Sequence, residues 1–118
     1  MKDDNMTENK RFVSSEDDWV NISLISGIKG AAEYCLKGNE VTITLEHVAL
    51  PEVEILKPLI LTTLPKDIIP VREVHEVILM SNGNIGNIII SKEGYMIFES
   101  YEKVPDLTSF TMYKSYLK

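Results

Sequence analysis

Any chemistry in this chain of 118 residues would have to start from a short set of side chains: two histidines, one cysteine and two arginines. His47 and His75 are far apart, and neither belongs to a metal-ligand spacing such as two histidines on one helical face. The run Arg72-Glu73-Val74-His75-Glu76 sets a base among charges. On an alternating strand it presents Arg72, Val74 and Glu76 on one face and Glu73 and His75 on the other, so a surface or interface imidazole is expected. Cys35, in Glu33-Tyr34-Cys35-Leu36, reads as a small core residue, with nothing beside it to lower its pKa as a nucleophile requires. As the single cysteine it excludes an internal disulfide and a structural zinc site. Gly83-Asn84-Ile85-Gly86 lacks the Gly-Lys-Ser/Thr ending of a phosphate loop, and Glu52 and Glu54 read as a solvated pair. The expectation is a non-enzymatic protein without catalytic residues, metal or cofactor.

The charge balance narrows the partners. Eighteen acidic residues against twelve basic ones give a net charge of −6 and a pI near 4.9. Only Arg11 and Arg72 are arginines, so the clustered basic patch of a nucleic-acid binder is missing, and anionic membranes are disfavoured on the same ground. No apolar run approaches the roughly 20 residues of a membrane-spanning helix. Met1-Lys2-Asp3-Asp4-Asn5 lacks an apolar signal core, which points to synthesis in a reducing cytoplasm.

The elements that would position these residues read as strands. Residues 1–18 hold six acids and three bases with few apolar side chains and are expected to form a flexible leader, so one domain spans 19–118. Fourteen Ile, nine Val and seven Thr against three Ala favour strands over helices. Val41, Ile43 and Leu45 alternate with Thr42, Thr44 and Glu46 as a half-buried strand does, and Trp19–Ser26 alternates less cleanly. Lys37-Gly38-Asn39-Glu40, Ser81-Asn82-Gly83-Asn84 and Ser91-Lys92-Glu93-Gly94 are turn signals between such runs. Val71, Val74, Val77 and Ile78 carry helical spacings. The run Val77-Ile78-Leu79-Met80 nevertheless leads straight into an Asn-Gly turn, which favours a strand. The fold class is therefore all-β: a single antiparallel sandwich or jelly-roll-like barrel of about eight short strands.

The order of the segments from Trp19 onward carries a resemblance. Asp18-Trp19-Val20-Asn21 opens the domain, and Tyr34-Cys35-Leu36-Lys37-Gly38-Asn39-Glu40-Val41 forms a hairpin phrase. Leu64-Pro65-Lys66-Asp67-Ile68-Ile69-Pro70, then Ile88-Ile89-Ile90-Ser91-Lys92-Glu93-Gly94, then Ser109–Leu117 ending in Tyr116-Leu117, complete the series. In this order the segments resemble the carboxy-terminal head domain of receptor-binding proteins and tail fibres from phages of Gram-positive bacteria. Lys66-Asp67-Ile68 departs from the glycine usual after Leu-Pro in that family, and the glycine-rich phrase after the opening is reduced to Gly27 and Gly30. No stalk sequence precedes the head, which reads as a short gene product or an excised domain.

The resemblance implies a non-enzymatic homotrimer at a phage tail tip or baseplate that attaches to host cell-wall saccharide, in contact with other tail or baseplate proteins. The other implied role is a structural module with no receptor contact. Sugar sites combine an aromatic face with planar polar groups, which makes Arg72, His75, Glu76, Tyr95, Glu99, Tyr101 and Asp106 the carbohydrate-binding candidates. Trp19, Phe110, Met112, Tyr113 and Tyr116 are the subunit-interface candidates, because the last segment carries bulky groups on both faces of an alternating strand.

Overall fold

The computed structural model describes residues 18–118; the expected leader, 1–18, lies outside the described residues but for Asp18. Eight strands follow one another: β1 (Trp19–Asn21), β2 (Lys29–Lys37), β3 (Glu40–Ala49), β4 (Leu59–Thr63), β5 (Val74–Leu79), β6 (Ile85–Ile90), β7 (Tyr95–Ser100) and β8 (Ser109–Leu117). They form two four-stranded sheets, the first ordered β1-β2-β3-β8 and the second β4-β7-β6-β5, with every pairing antiparallel. The two ladders stay separate, so of the expected architectures the sandwich is the one found and the closed barrel is not.

Local chemistry accounts for most of the joints. Gly38, Gly83 and Gly94 adopt positive φ in the turns after β2, before β6 and before β7, where the turn signals stand in the sequence. The Val71–Ile78 stretch is no helix: Val71 and Arg72 lie in a bend, and β5 begins at Val74. Among the described residues the one helical turn is a 3-10 turn at Lys66–Ile68, directly after Pro65. The expected first strand is shorter than Trp19–Ser26. It ends at Asn21, and the chain then crosses to the second sheet, where the Ile25 amide donates to the Leu61 carbonyl at 2.8 Å and the Thr62 hydroxyl to the Ser23 carbonyl at 2.6 Å.

The core lies between the sheets. Val41, Ile43 and Leu45 of β3 face Leu61, Ile88, Ile90, Met96 and Phe98 of the second sheet, all fully buried. Phe98 of β7 stacks on Phe110 of β8 with ring centroids 6.3 Å apart and an interplanar angle of 14°. At one end, the Tyr116 hydroxyl donates to the Ile68 carbonyl at 2.6 Å and ties β8 to the 3-10 turn. Beside that end the two sheets are joined by an ion pair, Lys114 Nζ to Glu76 Oε1 at 3.0 Å, between strands that pair with different neighbours.

A bulge in β3 determines which side chains reach this core. The β2–β3 register shifts between Lys29 and Ala31, and the β3–β8 register between Leu45 and Val48. The extra residue is His47, at φ 50, with its amide donating to the Thr111 hydroxyl at 3.1 Å. Gly30 faces the bulge at φ 140, and a Cβ there would stand 2.7 Å from Val48 Cα and 2.8 Å from the His47 carbonyl oxygen. A Cβ on Gly27, also at positive φ, would meet nothing within 4 Å.

Two measurements check this account. Gly30→Ala is expected to lower unfolding free energy by about 3 kcal/mol in denaturant titration, because backbone must move, whereas Gly27→Ala costs about 1 kcal/mol of conformational strain alone. Burial raises the Tyr116 phenol well above its ordinary value, so the native state holds the neutral form. The stability this contributes is complete below the unfolded value, near pH 10, and is lost as the pH climbs toward the folded value. Tyr116→Phe should cost about 1–2 kcal/mol at neutral pH, through the unpaired Ile68 carbonyl, and flatten the alkaline decline. An unchanged alkaline limb would contradict the assignment.

Candidate binding surfaces

Because each strand alternates, the core assignment fixes what each sheet shows to solvent. On the first sheet, register places Trp19, Cys35, Thr42 and Ser115 in one row and Asn21, Glu33, Thr44 and Tyr113 in the next. Trp19, the buried Cys35 and the exposed Leu117 apart, this outer face is polar. Thr42 and Ser115 share a hydroxyl–hydroxyl hydrogen bond of 2.9 Å, and the Tyr113 hydroxyl donates to Glu46 Oε2 at 3.1 Å.

The second sheet shows a different face. Ile60, Ile97, Ile89 and His75 form one row across all four strands. Glu99, Asn87 and Val77 form the next row, and Ile85 and Leu79 a third. Tyr95 stands at one end of this surface, beside Thr63. Val77, Leu79 and Ile85 are 63%, 70% and 59% exposed, although valine, leucine and isoleucine are ordinarily core residues.

Loops 50–58 and 101–108 meet at one end of the sandwich and are held by backbone bonds. Val53 and Val104 exchange both amide–carbonyl bonds, Leu50 and Thr108 are joined at 2.8 Å, and the Leu56 amide donates to the Ser100 carbonyl at 2.8 Å. Lys103 Nζ lies 2.7 Å from Glu52 Oε2 and 3.9 Å from Glu54 Oε2. Its ammonium pKa is raised, first by the hydrogen bond to Glu52 and then by the two carboxylate charges. Leu56 and Leu107 both adopt positive φ, at 55° and 68°, with their side chains exposed.

The sequence candidates for sugar binding divide among these places. His75, Tyr95 and Glu99 share the outer face of the second sheet, with His75 Nε2 3.1 Å from Glu73 Oε1. Tyr101 and Asp106 stand exposed on the loop after β7. Arg72 is exposed in the bend before β5, and Glu76 points between the sheets to Lys114. The structure brings three of the seven onto one surface and leaves the others apart.

The interface candidates divide as well. Phe110, Met112 and Tyr116 fill the chain's own core, because β8 pairs with β3 in the register that turns them inward. Tyr113 is on the outer face of the first sheet at 63% exposure, and Trp19 is half-buried there beside Cys35. Residues that sequence reading missed are Val77, Leu79, Ile85, Ile89 and Ile97. Their signal lay in the unbroken runs Val77-Ile78-Leu79-Met80 and Ile88-Ile89-Ile90, since a strand apolar on both faces is one covered on both.

Among the described residues, no group of three or more His, Cys, Asp and Glu side chains is placed to hold a metal ion, and no helix is long and apolar enough to cross a membrane.

No known family profile and no curated protein matches the sequence. The fold does match. The head domain of phage bIL170, described with the receptor-binding domains of lactococcal phages, superposes with a TM-score of 0.71 at 14% sequence identity. The match covers 86% of this chain and 98% of that one. Taken with the strand order and the separate sheets, it shows that this chain has the fold of a phage receptor-binding head domain.

Proposed function

We propose that this chain is the non-enzymatic receptor-binding head of a phage tail or baseplate, attaching the virion as a homotrimer to a saccharide of the host cell surface. One observation carries the reading: the fold is shared with the bIL170 head across nearly the whole of that domain, although little sequence is. One fold hosts many functions, so the role is sought in the sites this fold carries.

The sites favour adhesion over catalysis. His75, Tyr95 and Glu99 supply an imidazole, an aromatic ring and a carboxylate on one sheet face. Arg72, Tyr101 and Asp106 add exposed groups in the surrounding loops, of the kinds that stack on and hydrogen-bond to sugars. Glu76, tied to Lys114, serves the fold before it serves a ligand. A structural module that holds other tail proteins is the second reading. The exposed aliphatic tips Ile55, Leu56 and Leu107 favour it, since such groups pack on protein better than on hydroxyl-rich sugar.

Sedimentation of the purified chain with host cell walls, followed by a bacterial glycan array, separates the readings. Retention on the wall and on a defined saccharide is expected. Tyr95→Ala should weaken binding about tenfold, the loss of one aromatic contact of roughly 1.4 kcal/mol, and Glu99→Gln should weaken it by a similar factor. A folded oligomer retained by neither walls nor glycans would leave the structural module as the better account. Clearing of a wall suspension by the protein would instead reveal a hydrolase.

A further inference from the structure

The turn between β5 and β6 holds a reactive pair that neither the core nor the receptor reading uses. Asn82 is the one asparagine of seven that a glycine follows. Both residues are exposed, and a Cβ on Gly83, at φ 90, would meet nothing within 4 Å. Asn82 Oδ1 accepts from the Asn84 amide at 3.0 Å, which curls the side chain over the intervening Gly83 peptide. The side-chain carbonyl carbon is thereby kept on the side of the Gly83 nitrogen, with no side chain on residue 83 to shield that nitrogen.

The other described asparagines lack this arrangement. Asn21, Asn84 and Asn87 precede Ile22, Ile85 and Ile88, whose branched side chains crowd the following nitrogen. Asn39 is exposed in the turn before β3, but Glu40 follows it and already belongs to that strand.

We propose that Asn82 is a site of self-modification, where the chain converts its own amide to a carboxylate with water as the co-reactant. Hydroxide removes the Gly83 amide proton, and the nitrogen attacks Asn82 Cγ. The Cγ–Nδ2 bond breaks, ammonia leaves with a proton from water, hydroxide is regenerated, and a five-membered succinimide is formed. Water then adds to one of the two ring carbonyls. Opening at the Cγ–N bond leaves aspartate in an unchanged backbone. Opening at the bond from the Asn82 main-chain carbon leaves isoaspartate, with the backbone routed through the side chain. The native turn sets the pace: the Gly83 amide donates to the Met80 carbonyl at 2.9 Å and must be released before it can lose its proton.

The two products differ in their effect on the fold. A carboxylate at position 82 still accepts from the Asn84 amide. Isoaspartate lengthens the turn by a backbone carbon, and this turn ties the second sheet to β8 of the first. The Ser81 amide donates to the Ser109 carbonyl at 2.8 Å, and the Ser109 amide to the Ser81 hydroxyl at 2.9 Å. Isoaspartate therefore loosens a joint between the sheets.

Incubation of the purified 118-residue chain from neutral to mildly alkaline pH, followed by peptide mapping with mass spectrometry, tests this. The Asn82 peptide should split into two chromatographically separate acid forms, at a rate that rises with hydroxide. Denaturant should speed the reaction about tenfold, because the bond to Met80 is then gone. The Asn39 peptide should convert about tenfold more slowly or less, and Asn82→Gln, whose attack would close a six-membered ring, should stay unmodified. Asn82→Asp should keep the native melting temperature, and the isoaspartate form purified from aged protein should melt earlier. An Asn82 peptide that stays intact while the Asn39 peptide converts, or a rate indifferent to pH, overturns the proposal. Equal rates in native and denatured chain overturn the control by Met80, and an isoaspartate form that melts with the native chain overturns the loosened joint.

Discussion

The stacking of Phe98 on Phe110 is the contact from which the remaining geometry follows. The two rings come from different sheets, so their meeting sets the depth of the sandwich, and each fixes the parity of its own strand. With Phe98 inward, Met96 and Ser100 are inward, while Tyr95, Ile97 and Glu99 face out. With Phe110 inward, Met112 and Tyr116 are inward, and Tyr113 faces out. The space for Phe98 is made by Gly86, where a Cβ would stand 2.5 Å from the ring's Cε1. A slip of one residue in either strand would exchange the core set for the solvent set and bring Glu99 or Lys114's neighbours into the interior. Burial of a phenylalanine in such a position is worth about 3–5 kcal/mol against alanine, a large part of the stability of a domain this size.

The β3 bulge solves a second problem of parity. Before it, the odd residues Val41, Ile43 and Leu45 face the core; after it, the even residues Val48 and Leu50 do. His47 absorbs the change at positive φ, a conformation histidine tolerates better than a branched residue would. Gly30 lets β2 approach the extra backbone. The strand thereby stays buried as it bends over the end of the sandwich and leads into the loops tied by Val53 and Val104.

Much of this was legible from the sequence, and what was not has a common cause. The turns at Gly38, Gly83 and Gly94 were legible because their chemistry is local: a residue able to take positive φ between two β-branched runs. The β3 strand was legible because Thr and Glu mark its outer face. β8 was legible as a strand but not in its facing, because Phe110, Met112, Tyr113 and Tyr116 put bulk on both faces, and alternation alone does not say which face meets the other sheet. The same holds for Ile88, Ile89 and Ile90, where both parities are apolar. The early end of β1 at Asn21 escaped too, because the crossing is made by Ile25 and Thr62 bonding to partners remote in sequence. Of the candidate site, residue types could be read but not their grouping: His75 of β5 joins Tyr95 and Glu99 of β7 on one face only through the order β7-β6-β5.

The contrast between the two outer faces follows from the demands on each. A face that water covers needs polar atoms at every other position, and the first sheet supplies them as Thr42, Thr44, Glu33, Glu46, Ser115 and Tyr113, several bonded to one another. The second sheet interrupts its aliphatic surface across its middle along the row Glu99–Asn87, whose two members pair across neighbouring strands, and at its margins with His75, Thr63 and Tyr95. A polar row inside an apolar field adds direction to an otherwise sliding contact, because a docked neighbour must satisfy those groups or leave them unpaired.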